Sequence, residues 1–92
     1  MKKRKVAGEP AEKRFATFGL CELTQIDPDR NRRRYYCISL QAGLFDLILQ
    51  RQWGRLGCRP QFKDEFFTDI QDGIKQANRL YRQKVRKGYR EF

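Results

Sequence analysis

Between residues 15 and 67 the apolar side chains recur at every second position, and from Thr68 onward they recur at the spacing of a helix. A strand shows alternate residues on opposite faces, and a helix collects positions three and four apart on one side. A chain whose period changes once in this way is expected to lay a helix's stripe against one face of a sheet. The predicted class is α+β: a small antiparallel β-sheet of about four to five strands, with short connections, packed against one C-terminal α-helix.

The first strand is read over residues 15–27, "FATFGLCELTQID". Phe18, Leu20, Glu22, Thr24 and Ile26 fall on one parity, and Cys21, Leu23 and Gln25 on the other. "DPDRN" then reads as a turn, because Pro28 fixes φ and Asp27, Asp29 and Asn31 can bond their own backbone. In the second strand, "RRRYYCISLQ" (32–41), Tyr36, Ile38 and Leu40 share one face and Tyr35, Cys37, Ser39 and Gln41 the other, before a turn at Ala42 and Gly43. The third strand starts at Leu44, with Phe45, Leu47, Leu49, Arg51 and Trp53 on one parity, a face that begins apolar and ends in Arg and Trp. Gly54 and Gly57 interrupt it, "CRPQ" continues as a loop, and "FKDEFF" (62–67) is a short fourth strand.

The helix is read from a capping pattern in which Thr68 is the cap and Gln71 its partner three places on. Ile70, Ile74, Ala77, Tyr81 and Val85 form its apolar stripe. Asp69 and Asp72 in the first turn and Lys84, Arg86 and Lys87 in the last suit the helix dipole, and Gly88 supplies the stop. Lys75, Arg79, Arg82 and Arg86 form a basic ridge on the opposite side, either a solvated face or part of a larger positive surface.

Ninety-two residues suit one small domain, expected over residues 15–92, preceded by a basic arm at 1–14 too poor in large apolar residues to fold by itself. The "KKRK" run within that arm is compatible with a solubilising tail, a nucleic-acid-binding arm or a nuclear import signal. The 21 Lys and Arg residues outnumber 11 Asp and Glu, giving a formal charge of +10, and the partners of such a field are polyanions. With no His and three Cys lacking a C-x-x-C spacing, neither a zinc site nor a disulfide framework is expected. Nothing approaches a membrane span or a secretory leader, so an intracellular, cytoplasmic location is expected, nucleoid-associated in a bacterium. No cofactor, metal, membrane partner or small-molecule substrate is expected, and without His, paired carboxylates or a phosphate-cradling glycine loop no enzymatic activity is.

The stretch "QRQWGRLG" (50–57) places the sole Trp between Arg51 and Arg55. Trp53 either continues the core face of the third strand or offers an aromatic surface on which a nucleotide stacks, with the neighbouring guanidiniums on phosphate. Gly54, lacking a side chain, is expected to leave room for that approach.

"WGRLG" (53–57), the paired tyrosines Tyr35 and Tyr36, and the late helix "IKQANRLYRQKVRKGY" together resemble the WGR domain, over roughly residues 31 to 89. Lys84 and Tyr89 fit that family's closing Lys and aromatic residue. The resemblance implies a small antiparallel sheet on one helix and, as in the DNA-break-sensing poly(ADP-ribose) polymerases, binding of DNA ends. It implies that Trp53 stacks on a nucleotide, Arg55 holds a phosphate and Gly54 allows close approach, while Gly57 serves the turn. The sequence shows no ADP-ribosyl transferase module, so that catalysis is not implied, and a short stand-alone bacterial form is expected. The family's DNA-contacting Asn lies near the tyrosines, whereas here three arginines separate Asn31 from Tyr35; those arginines are candidates to take its place.

The expected function is a nucleic-acid-binding module, for DNA with RNA as the variant, recognising ends, nicks or backbone without sequence specificity. Its candidate contacts are Trp53, Gly54, Arg55, Arg51, Arg32, Arg33, Arg34, Arg59, Lys75 and Arg79. The alternative is a protein-interaction adaptor with no direct nucleic-acid role.

Overall fold

A computed structural model describes residues 14–91 of the chain. Its elements are β1 (Gly19–Asp27), a 3-10 turn (Pro28–Arg30), β2 (Arg32–Ala42), β3 (Leu47–Arg55), β4 (Gln61–Phe67), α1 (Ile70–Arg86) and β5 (Arg90–Glu91). The strands form one antiparallel sheet in the order β4-β3-β2-β1-β5. Because β4 and β5 are the two edges and α1 connects them, the helix must cross a whole face of the sheet. The α+β class, the antiparallel pairing and the single helix agree with the sequence reading, and β5 is the fifth strand.

The core lies between that face and α1. Cys21 and Leu23 of β1, Tyr36, Ile38 and Leu40 of β2, Leu47 and Leu49 of β3, and Ile74, Ala77 and Leu80 of α1 are buried, with Phe15 and Tyr89 at the margins. The inward parities of β2 and β3 are those read from the alternation. In β1 the shorter apolar set, Cys21 and Leu23, points inward, and Leu20 and Ile26 are exposed. Pairing decides this: Cys21 stands opposite Ile38 and Leu23 opposite Tyr36, and cross-strand partners share a face.

Two strand boundaries differ from expectation. The first strand begins at Gly19, and Phe15, 2% exposed, is a core residue outside the sheet. Asn78 of α1 holds it there: its Oδ1 accepts from the Phe15 N–H at 2.7 Å, and its Nδ2 donates to the Phe15 carbonyl at 3.0 Å. The third strand begins at Leu47, because Gly43 N–H donates to the Asp46 carbonyl at 2.7 Å and closes a turn that turns Leu44 and Phe45 into solvent. Residues 1–13 of the expected basic arm lie outside the described residues. Arg14, its last residue, pairs with Glu91 and donates to the Leu20 carbonyl at 3.1 Å.

The helix cap is Asp69, and not Thr68 as expected. Asp69 is extended, and its Oδ1 accepts from Gln71 N–H at 2.9 Å, placing an anion at the positive end of the dipole. We predict that Asp69→Ala costs about 1 kcal/mol in urea unfolding and that Thr68→Ala costs less than half of that. The buried face of α1 is also turned from the expected stripe: Gly73, Asn78 and Leu80 are buried with Ile74 and Ala77, whereas Ile70 is exposed. Gly73 allows this, since a Cβ there would lie 2.0 Å from Leu47 Cδ2. At the other end Gly88, with φ +101°, stops the helix as expected. Its N–H donates to the Val85 carbonyl and that of Tyr89 to the Lys84 carbonyl, the paired bonds of a Schellman motif. Among the described residues, no helix is long and apolar enough to cross a membrane.

Candidate nucleic-acid interface

The β2–β3 register pairs Tyr36 with Trp53 and Arg34 with Arg55. These positions continue the parities that bury Ile38, Leu40 and Leu49, so both pairs face the helix side of the sheet: Tyr36 ends the core with Trp53 packed against it, and Arg34 and Arg55 lie beyond. The last turn of α1 brings Lys84 over the same place, and the Schellman turn folds Tyr89 back beside it. Arg34, Trp53, Gly54, Arg55, Lys84 and Tyr89 line a cleft of about 450 Å³.

Both readings of Trp53 meet here. The half-buried indole packs on the core and stacks with the Tyr36 ring at 6.0 Å and 27°, while also forming part of the cleft wall. Tyr89 meets Tyr36 edge-on at 6.3 Å and 70°. Lys84 Nζ stands 4.3 Å from the Tyr36 ring centre and 5.6 Å from that of Tyr89, within cation–π range. Burial, then the like charges of Lys87, Arg51 and Arg34, pull its pKa below the usual lysine value. Three of the six lining residues are cations and none is acidic. The cleft is therefore a place where a bound anion would relieve repulsion already present.

Arg55 is held at the cleft rim. Its Nη1 donates to the Asn31 carbonyl at 3.2 Å and its Nη2 to Asn31 Oδ1 at 3.3 Å. Asn31 takes a left-handed conformation, φ 56°, which Asn tolerates better than most residues. The residue that three arginines separate from the tyrosines in sequence thus becomes the partner of Arg55 in space.

Of the candidate residues, Arg34, Trp53, Gly54 and Arg55 line the cleft together, and the others stand outside its lining. Arg51 has a side chain only 16% exposed and donates to Glu65 Oε1 at 2.9 Å, and its Nε is buried without a partner. It supports the sheet beside Tyr36 and does not line the cleft. Arg32 is half-buried on the cleft's side of β2, opposite Asp27, whereas Arg33 is exposed on the outer face. Arg59 is exposed in the β3–β4 loop, and Lys75 and Arg79 lie on the exposed side of α1, outside the cleft lining.

The reason expected for Gly54 does not hold. Gly54 lines the cleft by its backbone, but on β3 it shares the parity of Ile48, Gln50 and Gln52, which is the outer face. A Cβ would meet the Arg59 carbonyl at 3.5 Å, Pro60 Cα at 3.6 Å and Tyr35 Cε1 at 3.6 Å, all ordinary contacts. We predict that Gly54→Ala keeps stability within about 1 kcal/mol of the parent in urea unfolding, since Ala suits a strand better than Gly. A larger loss would mean that loop 58–60 cannot accommodate a methyl group. Gly57, with φ +84° and open space around it, serves the turn closed by Cys58 N–H on the Arg55 carbonyl at 2.9 Å.

Lys84, Tyr89 and Asn31 were singled out by the family resemblance but not placed among the candidate contacts. Lys84 had a legible signal: it lies four residues after Leu80 and seven after Ala77, a cation on the buried stripe of an amphipathic helix. Tyr89 had only the family resemblance, because no periodicity reaches it and its place depends on the Gly88 turn. The three thiols are free; Cys21 is buried, and burial pushes its pKa up to about 11. Among the described residues, no group of three or more Cys, Asp or Glu is placed to hold a metal ion.

The family model of the WGR domain matches residues 20–92, a longer span than the 31 to 89 that the sequence resemblance covers. The added parts take in β1, which the sheet needs as the partner of β2, and β5, which pairs with β1. A protein of Sinorhizobium fredii described as "Uncharacterized protein y4dW" is 40% identical over 69 residues, covering 74% of this chain and 34% of that protein. The chain thus spans about a third of the length of this curated relative. No solved structure matches the chain significantly.

Proposed function

Because the chain belongs to the WGR domain family, we propose that it is a non-catalytic DNA-binding module that holds ends or nicks by stacking and phosphate contact. The family is associated with nucleic-acid binding in poly(ADP-ribose) polymerase-like proteins. The observation that carries the reading is the convergence of Arg34, Arg55 and Lys84 on the exposed side of Trp53 without a lining carboxylate. The guanidiniums and the ammonium hold backbone phosphate, and the indole takes the flat sugar or base of a terminal nucleotide. Continuous duplex hides those surfaces, so an end or nick presents what the cleft accepts. Such binding is electrostatic, indifferent to sequence and weakened by salt. In a bacterium it belongs to the cytoplasm and nucleoid, in DNA repair or maintenance.

The test uses the sole Trp as reporter. Its fluorescence is titrated with a hairpin DNA having one blunt end and with a closed dumbbell lacking ends, at two salt concentrations. Quenching by the hairpin alone supports end recognition; equal quenching by both reduces the function to general duplex binding. An RNA hairpin run in competition separates DNA from RNA.

The adaptor reading draws on the opposite pole of the sheet. There Leu44 and Phe45 are 88% and 89% exposed, and with Phe18 and Ile70 they border a depression of about 280 Å³. It predicts no nucleic-acid binding near physiological salt, so the same titration decides between the two.

A further inference from the structure

The sheet's outer face, behind the cleft, has its own cluster of rings and cations at the same end. Arg33 and Tyr35 of β2 point outward, as the inward burial of Tyr36 and Ile38 requires. Beside Tyr35 stands Gly54, and beyond it Arg59 and Pro60; the ring of Tyr35 and the backbone of that loop both come within 3.6 Å of where a Gly54 Cβ would be. Because β3 carries no side chain at this point, the Tyr35 ring lies across the strand toward the loop. Phe62, opposite Gln52 on the edge strand β4, is 59% exposed on the same face. Neither ring belongs to the core cluster. Further along this face Glu22 and Asp64 carry the opposite charge, which confines the cationic part to the sheet end and leaves Phe66, next to Asp64 in parity, outside it.

Rings flanked by cations on an open sheet suit single-stranded nucleic acid: bases stack on the rings whatever their identity, and the cations follow the backbone. The two faces meet at the β3–β4 tip, where Arg55 is exposed at the cleft rim and Arg59 on the far side of Gly54. A strand leaving the cleft therefore passes cations on its way round.

We propose that Arg33, Tyr35, Arg59 and Phe62 form a second subsite that stacks the bases of a single-stranded extension, so that the favoured substrate is a DNA end bearing an overhang. This rests on the end-binding reading above. Strand continuity links the subsites: the cleft holds the junction, and the outer face holds the extension.

The experiment compares the full chain's affinity, by anisotropy of labelled DNA, for a blunt hairpin and for the same hairpin extended by about ten thymidines at either its 3′ or its 5′ end. One extension is expected to tighten binding about tenfold. Phe62→Ala and Tyr35→Leu, both on the outer face and outside the core cluster, are expected to abolish that gain while leaving blunt-end affinity and Trp53 quenching unchanged. No gain from either extension overturns the proposal, as does a gain that survives both variants, and in either case blunt-end quenching of Trp53 leaves the cleft reading standing. Loss of all binding, blunt hairpin included, overturns both readings together.

Discussion

Replacing Trp53 and Arg55 together by alanine is expected to lower affinity for a blunt DNA end by about a hundredfold or more. Base or sugar stacking on an aromatic ring is worth about 1–3 kcal/mol, and a charge-assisted contact to phosphate adds about 1–2 kcal/mol. The single variants divide the effect by kind. Arg55→Ala removes one phosphate contact, so the slope of log affinity against log salt falls by about one, for hairpin and dumbbell alike. Trp53→Ala removes the stacking surface, so the loss is confined to DNA with an end. Arg55 and Asn31 are both exposed, and water replaces their hydrogen bonds, so Arg55→Ala leaves the fold intact. Trp53→Ala bares part of Tyr36, and Trp53→Phe, which keeps a ring there, separates a stacking loss from a packing loss. A double variant that binds the hairpin as tightly as the parent would show that the cleft is not the contact.

The second large effect concerns stability. Asn78→Leu is expected to cost about 2–4 kcal/mol in urea unfolding, a large part of what a domain of this size commands. Asn78 is buried and satisfies both backbone groups of Phe15. Leucine keeps the bulk but leaves a buried N–H and a carbonyl without partners, each a desolvation cost of about 1–3 kcal/mol unless the segment peels away. If it does, Phe15 leaves the core and its burial is lost instead. A double-mutant cycle with Phe15→Ala checks the mechanism, since strong non-additivity is expected if Asn78 acts by seating Phe15, and simple addition would refute that.

The alternation in β2 and β3 was legible because both sets of side chains differ clearly in polarity. Tyr36, Ile38 and Leu40 against Tyr35, Ser39 and Gln41 leave little choice of face, and Leu47, Leu49, Arg51 and Trp53 follow in phase. The turn at residues 27–31 and the stop at Gly88 were legible from residues whose backbone preferences are local. In β1 apolar residues occupy both parities, so alternation could not say which side is buried. At the helix start Thr68 and Asp69 are both capping residue types, and only the bond that Asp69 accepts from Gln71 N–H shows which of them caps. Leu44 and Phe45 continue the apolar pattern of β3 and yet lie in solvent, because the Gly43–Asp46 turn takes them out of the ladder.

The candidate site divides along the same line. Trp53 and Arg55 could be named from a strand ending in Trp-Gly-Arg, and Arg34 from the run beside the tyrosines. Arg51 and Gly54, equally close to Trp53 in sequence, are placed differently: the Arg51 guanidinium is occupied by Glu65, and Gly54 lines the cleft with its backbone alone, a Cβ there pointing to the outer face.

By itself, then, the sequence determined the periods of its elements, the class of fold those periods permit, the excess of positive charge, and the family it belongs to, all of which are encoded over a few neighbouring residues or in composition. Tertiary structure alone decided which cations meet around Trp53. Lys84 arrives there on the helix's last turn, Asn31 reaches Arg55 across 24 positions, and Asn78 seats Phe15 across 63. Backbone periodicity says on which side a residue stands, but which residues share that side in space depends on strand register and on where the helix crosses the sheet, and both are settled by packing the whole core at once.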